Sequence, residues 1–278
     1  MTVHFALTKL GLDAARFDIR LLNGGKDDTA AYRALREKIR NGDGARNFAD
    51  SYTREDELNE PLWREWCAAK REHCIVAAFD RKEDNKLASI MMITAQGPAN
   101  SLVAELEATW VELEYRGSGV AKRCYEEVQK TAMEIGYQHA VVFIREDNHH
   151  SRKIREAQGF THVRTKKDEH WADGSIADTN LFILDLYPDC PASENPHERA
   201  IHRLEETIKS MNGEVPFIGE AMRDRIKALK NETYVHATRY LAGTLASLGD
   251  DATPVARGAV LPVAKSTIRV AAREHGLT

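Results

Sequence analysis

The sequence predicts an α/β protein: a mixed, mostly antiparallel seven-stranded sheet with flanking helices over residues 1–187, a linker at 188–196, and an all-α region over 197–278. Three observations carry that reading. Short apolar or alternating runs recur seven times between Phe17 and Leu186, with helix-period segments before, among and after them. YPDCPASENP then brings three prolines and no periodicity. Past it, every periodic segment has a helical spacing.

A chain of 278 residues can bury at least one sizeable core, and its 42% apolar and 29% charged side chains exclude wholly disordered, collagen-like and membrane-embedded classes. A net charge of -4, from 39 basic and 43 acidic residues, supplies no global drive toward nucleic acid or anionic lipid. The four cysteines, Cys67, Cys74, Cys124 and Cys190, share no metal-type spacing and are expected reduced and buried. With no basic leader before an apolar stretch and no run of about 18 apolar residues, the expected location is the cytoplasm, away from membranes.

FDIRLL (17–22) alternates and stops at Asn23-Gly24-Gly25, the signature of a strand and turn. AAYRALREKIR then has helical spacing, with Asp27 and Asp28 as candidate caps and Asn41-Gly42 as terminator. A second helix is expected from about Thr53, through Pro61, Trp63 and Trp66, to about His73. Its two tryptophans read as core residues. CIVAAF (74–79), LASIMMITA (87–95) and LVAELEATWVEL (102–113) form a meander. VAKRCYEEVQKTAMEI (120–135) lines one face with Val120, Cys124, Val128 and Ala132 and ends at Gly136. HAVVFI (139–144) is a continuous apolar run, expected buried on both faces and reached by a parallel crossover. Asn148 caps a short helix at 151–157, Gly159 ends it, and FTHVRTK and NLFILDL (180–186) complete the sheet. Beyond the linker, three helices are expected, broken at Asn212-Gly213, near Asn231 and at Gly249, followed by a terminal helical segment from Lys265 to Leu277.

Chemistry concentrates at VELEYRGSGVA, residues 111–121, where an arginine and two glycines join a strand to a helix. Without side chains at Gly117 and Gly119, backbone N–H groups converge at the positive end of the helix and make a nest for a phosphate or pyrophosphate. A plain strand-to-helix turn would also account for these residues. Neither GxGxxG nor GxxxxGK[ST] is present, so neither a Rossmann dinucleotide site nor a P-loop is supported. His139, His149, His150 and His170 lack HxH or HxxxH spacing, and no metal site is expected.

Arg116, Gly119 and Ala121 meet the pattern Q/R-x-x-G-x-G/A, and Asn148 precedes Gly159-Phe160 by eleven and twelve residues. On these residues the chain resembles the GNAT superfamily of N-acetyltransferases over about residues 15–187. The resemblance implies acetyl-CoA, or another acyl-CoA, as cosubstrate and an amine as acceptor. It places the pyrophosphate on the amides from Gly117 to Ala121 (Gly117, Ser118, Gly119, Val120 and Ala121), counts Arg116 among the cofactor-binding residues, and sets the acyl carbonyl near the main chain of Val111. It also implies that the fourth and fifth strands splay, with a β-bulge near Trp110, and adds Asn148 and Arg155 to the cofactor's surroundings. An amine acceptor is mostly protonated at neutral pH, so a base must collect its proton. Glu105 stands eleven residues before Arg116, where family members carry a catalytic glutamate, and Glu107 is the second candidate. In an unbulged strand both share a face with Val111; a bulge would exchange faces. Where many members have a proton-donating tyrosine this chain has Arg155, an obligate cation able to contact a phosphate or stabilise a thiolate.

The expected activity is N-acetylation by direct attack in a ternary complex. The alternatives are a silent acyl-CoA-binding scaffold, and transfer to an amine on a nucleic acid with the C-terminal helices as docking element. The resemblance does not extend to those helices, which are expected to shape the acceptor site or to support a homodimer, with nucleic acid the less favoured partner.

Overall fold

The computed structural model describes residues 16–42, 59–171, 173–187 and 196–247. Its elements run β1 (Phe17–Leu21), α1 (Lys26–Arg40), α2 (Glu60–Cys67), β2 (His73–Asp80), β3 (Lys86–Ala95), β4 (Val103–Val111), a single 3-10 turn (Leu113–Tyr115), α3 (Val120–Ile135), β5 (His139–Arg145), α4 (His149–Ala157), β6 (Thr161–His170), β7 (Ile176–Asp185), α5 (Pro196–Ser210) and α6 (Pro216–Ser247). The seven strands form one sheet in the order β1-β2-β3-β4-β5-β7-β6. Every neighbouring pair is antiparallel except β4 and β5. This is the mixed α/β architecture expected.

Alternation along the central strands sends side chains to two cores. Ile75, Ala77 and Phe79 of β2 and Ile90 and Met92 of β3 face Tyr32, Leu35 and Ile39 of α1 and Trp63 and Cys67 of α2. Val76, Met91, Ile93, Ala104 and Leu106 point the other way, onto Val128 and Ala132 of α3. A helix with one apolar stripe cannot bury it alone, so each sheet face requires its helices.

Three local details depart from the expected pattern. The side chain of Asn59 caps α2 by accepting from the Leu62 amide (3.1 Å), and Ala68 turns extended, so the helix ends at Cys67 rather than near His73. The expected start at Thr53 lies outside the described residues. Asp28 does not cap α1; it accepts from the Asn23 amide and pairs with Arg20 at 2.7 Å. Trp63 is core as expected, whereas Trp66 is 40% exposed and packs on His73. Cys67, Cys74 and Cys124 are free and buried, while Cys190 lies outside the described residues.

Two compact units emerge: residues 1–188 together with 206–215, and residues 189–205 together with 216–278. In the first, the end of α5 is stitched to the sheet. Thr207 Oγ1 lies 2.8 Å from His139 Nδ1, Ser210 Oγ accepts from the Leu102 amide at 2.9 Å, and Thr207 and Met211 are buried. In the second, α6 is one continuous 32-residue helix, and no break occurs near Asn231. Asparagine only weakly disfavours a helix, and no glycine or proline stands there to stop it. Ile218, Ala221, Met222 and Leu229 form its buried stripe. The segment from Lys265 to Leu277 lies outside the described residues.

We expect a chain ending at Val215 to melt near the full-length temperature, and a chain ending at Pro191 to melt at least about 5 °C lower. The second cut strips a buried and a half-buried hydrogen-bonding group and a buried methionine from the first unit. Scanning calorimetry of both fragments reads the difference; equal melting temperatures would dismiss residues 206–215 as part of that unit.

Candidate active site

The site begins where the sheet opens. β4 and β5 pair only at Val103 with His139, Ala104 with Ala140 and Glu105 with Val141. Beyond Glu105 the two parallel strands part, leaving a fork through the sheet. On the opposite edge of β4, Met92 pairs with Glu107 and Ile90 with Trp110, so two β4 residues answer one on β3. This is a bulge at 108–109, where Ala108 adopts φ +48°, a backbone conformation that side chains other than glycine rarely take.

The bulge corrects the face assignment. Glu105, Glu107 and Trp110 share the α1/α2 face, while Val111, paired with Ser89, turns toward the α3 side and packs near Val120 and Cys124. One inserted residue reverses every side chain after it. Val111 therefore does not share a face with the glutamates; its carbonyl accepts from Arg116 Nε at 3.2 Å, and the Arg116 guanidinium lies 5.2 Å from the Trp110 ring centre.

Glu105 and Glu107 are held by residues the sequence reading did not single out. Gln96 Nε2 donates to Glu105 Oε2 at 2.8 Å, and Thr94 Oγ1 donates to Glu107 Oε1 at 2.5 Å. Met92, Thr94 and Gln96 share one parity toward the end of β3, but only the pairing of β3 with β4 brings Thr94 and Gln96 to the carboxyls. Both carboxyls keep some exposure yet sit deep among protein atoms. Burial, and secondarily the charge of Glu107, pushes Glu105 up to about 8. Burial also raises Glu107, but the Thr94 hydroxyl and the buried Arg36 of α1 pull the other way. Glu107 is thus the better seat for a negative charge, and Glu105 the better seat for a proton.

The phosphate nest is built by the turn before α3. Gly117 and Gly119 take φ of +79° and +81°, the left-handed region open to glycine. α3 has no side-chain cap and no acidic residue in its first turn, and the first helical bond runs from the Arg123 amide to the Gly119 carbonyl. The amides of Val120, Ala121 and Lys122 precede that bond and have no partner within the helix, although Ser118 Oγ lies 3.4 Å from the Val120 nitrogen. A Cβ placed on Gly117 would meet nothing within 4 Å, so there is room above the turn for a ligand. These residues fit a pyrophosphate.

Two further residues sit differently from one another. Asn148 uses its side-chain oxygen to cap α4, accepting from the Ser151 amide at 3.1 Å. Arg155 is 5% exposed and bridges α4 to the bulge, donating to Thr109 Oγ1 at 2.9 Å and Gln158 Oε1 at 3.0 Å. Its guanidinium lies 5.3 Å from the Tyr125 ring centre and 5.7 Å from that of Phe160. Among the described residues no cluster of three metal-ligand side chains occurs, and no helix is long and apolar enough to cross a membrane.

A forked mixed sheet with a glycine turn at the following helix is also the architecture that comparison with known proteins returns. Residues 42–160 match the acetyltransferase (GNAT) family, so the chain carries a GNAT acetyltransferase domain. Among solved structures, an acetyltransferase-like protein of Acinetobacter baylyi ADP1 is 20% identical, covers 65% of this chain and 97% of its own, and superposes with a TM-score of 0.51. An N-acetyltransferase from Staphylococcus aureus Mu50 is 19% identical over 61% of this chain and 98% of its own, with a TM-score of 0.50. A Salmonella typhimurium protein described as an acetyltransferase and solved with its cofactor acetyl-CoA is 14% identical over 64% and 98%, also at 0.50. At these identities the likeness is one of fold. No curated protein sequence matches the chain significantly.

Proposed function

We propose that the protein is an N-acetyltransferase that moves an acetyl group from acetyl-CoA to a primary amine by direct attack in a ternary complex. The observation that carries this reading is the placement of Glu105 at the last paired position of β4 and β5, where the fork opens. When bound, acetyl-CoA supplies an activated thioester. The nest from Gly117 to Ala121 holds the pyrophosphate by backbone amides and the positive end of α3. The opened edge of β4 beyond Glu105 offers main-chain groups to a chain lying in the fork. Glu107 keeps a negative charge beside the acceptor amine, and Glu105 accepts the proton that the amine releases. Raising the carboxylate's proton affinity makes Glu105 a stronger base toward the proton that the attacking nitrogen of a neutral amine sheds.

Support for cytoplasmic action comes from the composition, and support for a C-terminal role in acceptor choice or dimerisation from the helices α5 and α6. The test is calorimetric titration with acetyl-CoA, followed by release of free coenzyme A in the presence of an amine panel. Binding with acceptor-dependent release is expected. Binding without release from any amine would instead support an acyl-CoA scaffold.

A further inference from the structure

The two sides of the fork carry opposite chemistry. Glu105 and Glu107 face α1 and α2, whereas Arg155 stands on the α3/α4 side, reaching the bulge at Thr109. A guanidinium this buried is expensive to leave without an anion, and its hydrogen-bond acceptors, Thr109 and Gln158, are neutral. Burial pulls its pKa down, although not far enough to discharge it near neutral pH, since it stays at about 10. Beneath it, Tyr125 is 4% exposed and its hydroxyl is buried without a hydrogen-bond partner among the described residues. An unanswered cation and an orphaned donor therefore sit together behind the fork.

We propose that Arg155, seated on Tyr125, receives the negative charge of the departing coenzyme A thiolate, so that departure requires no proton donor. This rests on the acetyltransferase reading above. In the step, the nitrogen of the neutral amine bonds to the acyl carbon and the one proton it sheds passes to Glu105. The carbon–sulfur bond breaks with its electron pair on sulfur, and the resulting anion faces the guanidinium. The charges balance: one proton is gained on the glutamate side of the sheet and one negative charge appears on the arginine side.

A free thiol ionises near 8.5, and a neighbouring buried cation should depress that value in bound coenzyme A. The experiment is an ultraviolet titration of the thiolate in saturated complexes of coenzyme A with wild type, Arg155→Gln, Arg155→Lys and Tyr125→Phe, against each unliganded protein. The described protein thiols interfere little, because burial holds Cys67 at about 12 and Cys74 and Cys124 at about 11. We expect the bound thiol to ionise at least about one pH unit lower in wild type than in Arg155→Gln, with Arg155→Lys between them. Tyr125→Phe should give a smaller shift. Affinity for the neutral thioester acetyl-CoA, read by calorimetry, should change less than about threefold, which also reports that the variants fold, while kcat falls at nearly constant KM.

An unchanged thiol titration in Arg155→Gln and Arg155→Lys overturns the proposal. Equal weakening of acetyl-CoA and coenzyme A also overturns it, since Arg155 would then merely hold the cofactor. If wild type binds neither molecule, the acetyltransferase reading falls as well. If wild type binds and turns over while the variants titrate like it, this inference alone falls.

Discussion

Glu105→Gln is expected to lower turnover by about a hundredfold or more near neutral pH while leaving acetyl-CoA affinity intact, the scale on which loss of a general base is felt. Glutamine keeps the shape and the oxygen that accepts from Gln96 but cannot take a proton. As the proposed base Glu105 would act as the carboxylate, and burial raises its pKa to about 8, so kcat/KM should climb with pH up to that value. The variant should lose this limb and retain only the slope due to the amine's own ionisation. A wild-type rate and profile in Glu105→Gln would move the base to Glu107 or to a water chain.

Stability supplies an independent sign. A carboxyl whose folded pKa lies above its unfolded value of about 4.3 holds its proton more tightly when folded. Its contribution is complete below the unfolded pKa and is lost as pH rises through about 8. Glu105→Gln should therefore be more stable than wild type at pH 9, by an amount on the order of a kcal/mol or more, and near parity at pH 4. Urea titrations at the two pH values measure it. A variant that is catalytically dead yet more stable in alkali separates chemistry from folding.

Gly119→Glu should weaken acyl-CoA binding by at least about a hundredfold, because a carboxylate would enter the nest where a phosphate must lie. Gly119 has φ +81°, so any side chain strains the turn. Gly119→Ala carries that strain without the charge and is the necessary companion. Calorimetry should find Gly119→Ala intermediate and Gly119→Glu silent. A folded Gly119→Glu variant of wild-type affinity would remove the pyrophosphate from the α3 N-terminus.

Much of the architecture could be read from local pattern, because local pattern is what creates it. The run Val120–Ile135 was legible to the residue, with Gly119 before it and Gly136 after it. The sheet strands followed from alternation, with ends shifted by a few residues where pairing rather than propensity decides, as at Ile176 of β7. What failed depends on partners. Residues 108–109 do not themselves announce an insertion into a ladder, which is defined by the register of β3; the family resemblance supplied the bulge near Trp110, and only its exact place, and with it the change of face between Glu107 and Val111, lay beyond sequence parity. The continuous α6 was missed because weak polar residues around Asn231 look like a break when their surroundings are unknown. Glu105, Glu107 and the glycines of the candidate site were proposed from position along the chain and the family resemblance. Thr94, Gln96 and Arg36 could not be, because they meet the carboxylates across β3 and from α1. Tyr125 and Arg155 are thirty residues apart and come together only when α3 and α4 pack on one side of the sheet.

The fork has a kinetic consequence. With carboxylates on one side of β4 and the glycine turn and arginine on the other, the proposed cosubstrate and acceptor would approach the fork from opposite sides. On that reading neither need leave before the other arrives. Initial rates at varied concentrations of both should therefore give intersecting rather than parallel double-reciprocal lines, and coenzyme A should compete with acetyl-CoA while leaving the amine's doorway free.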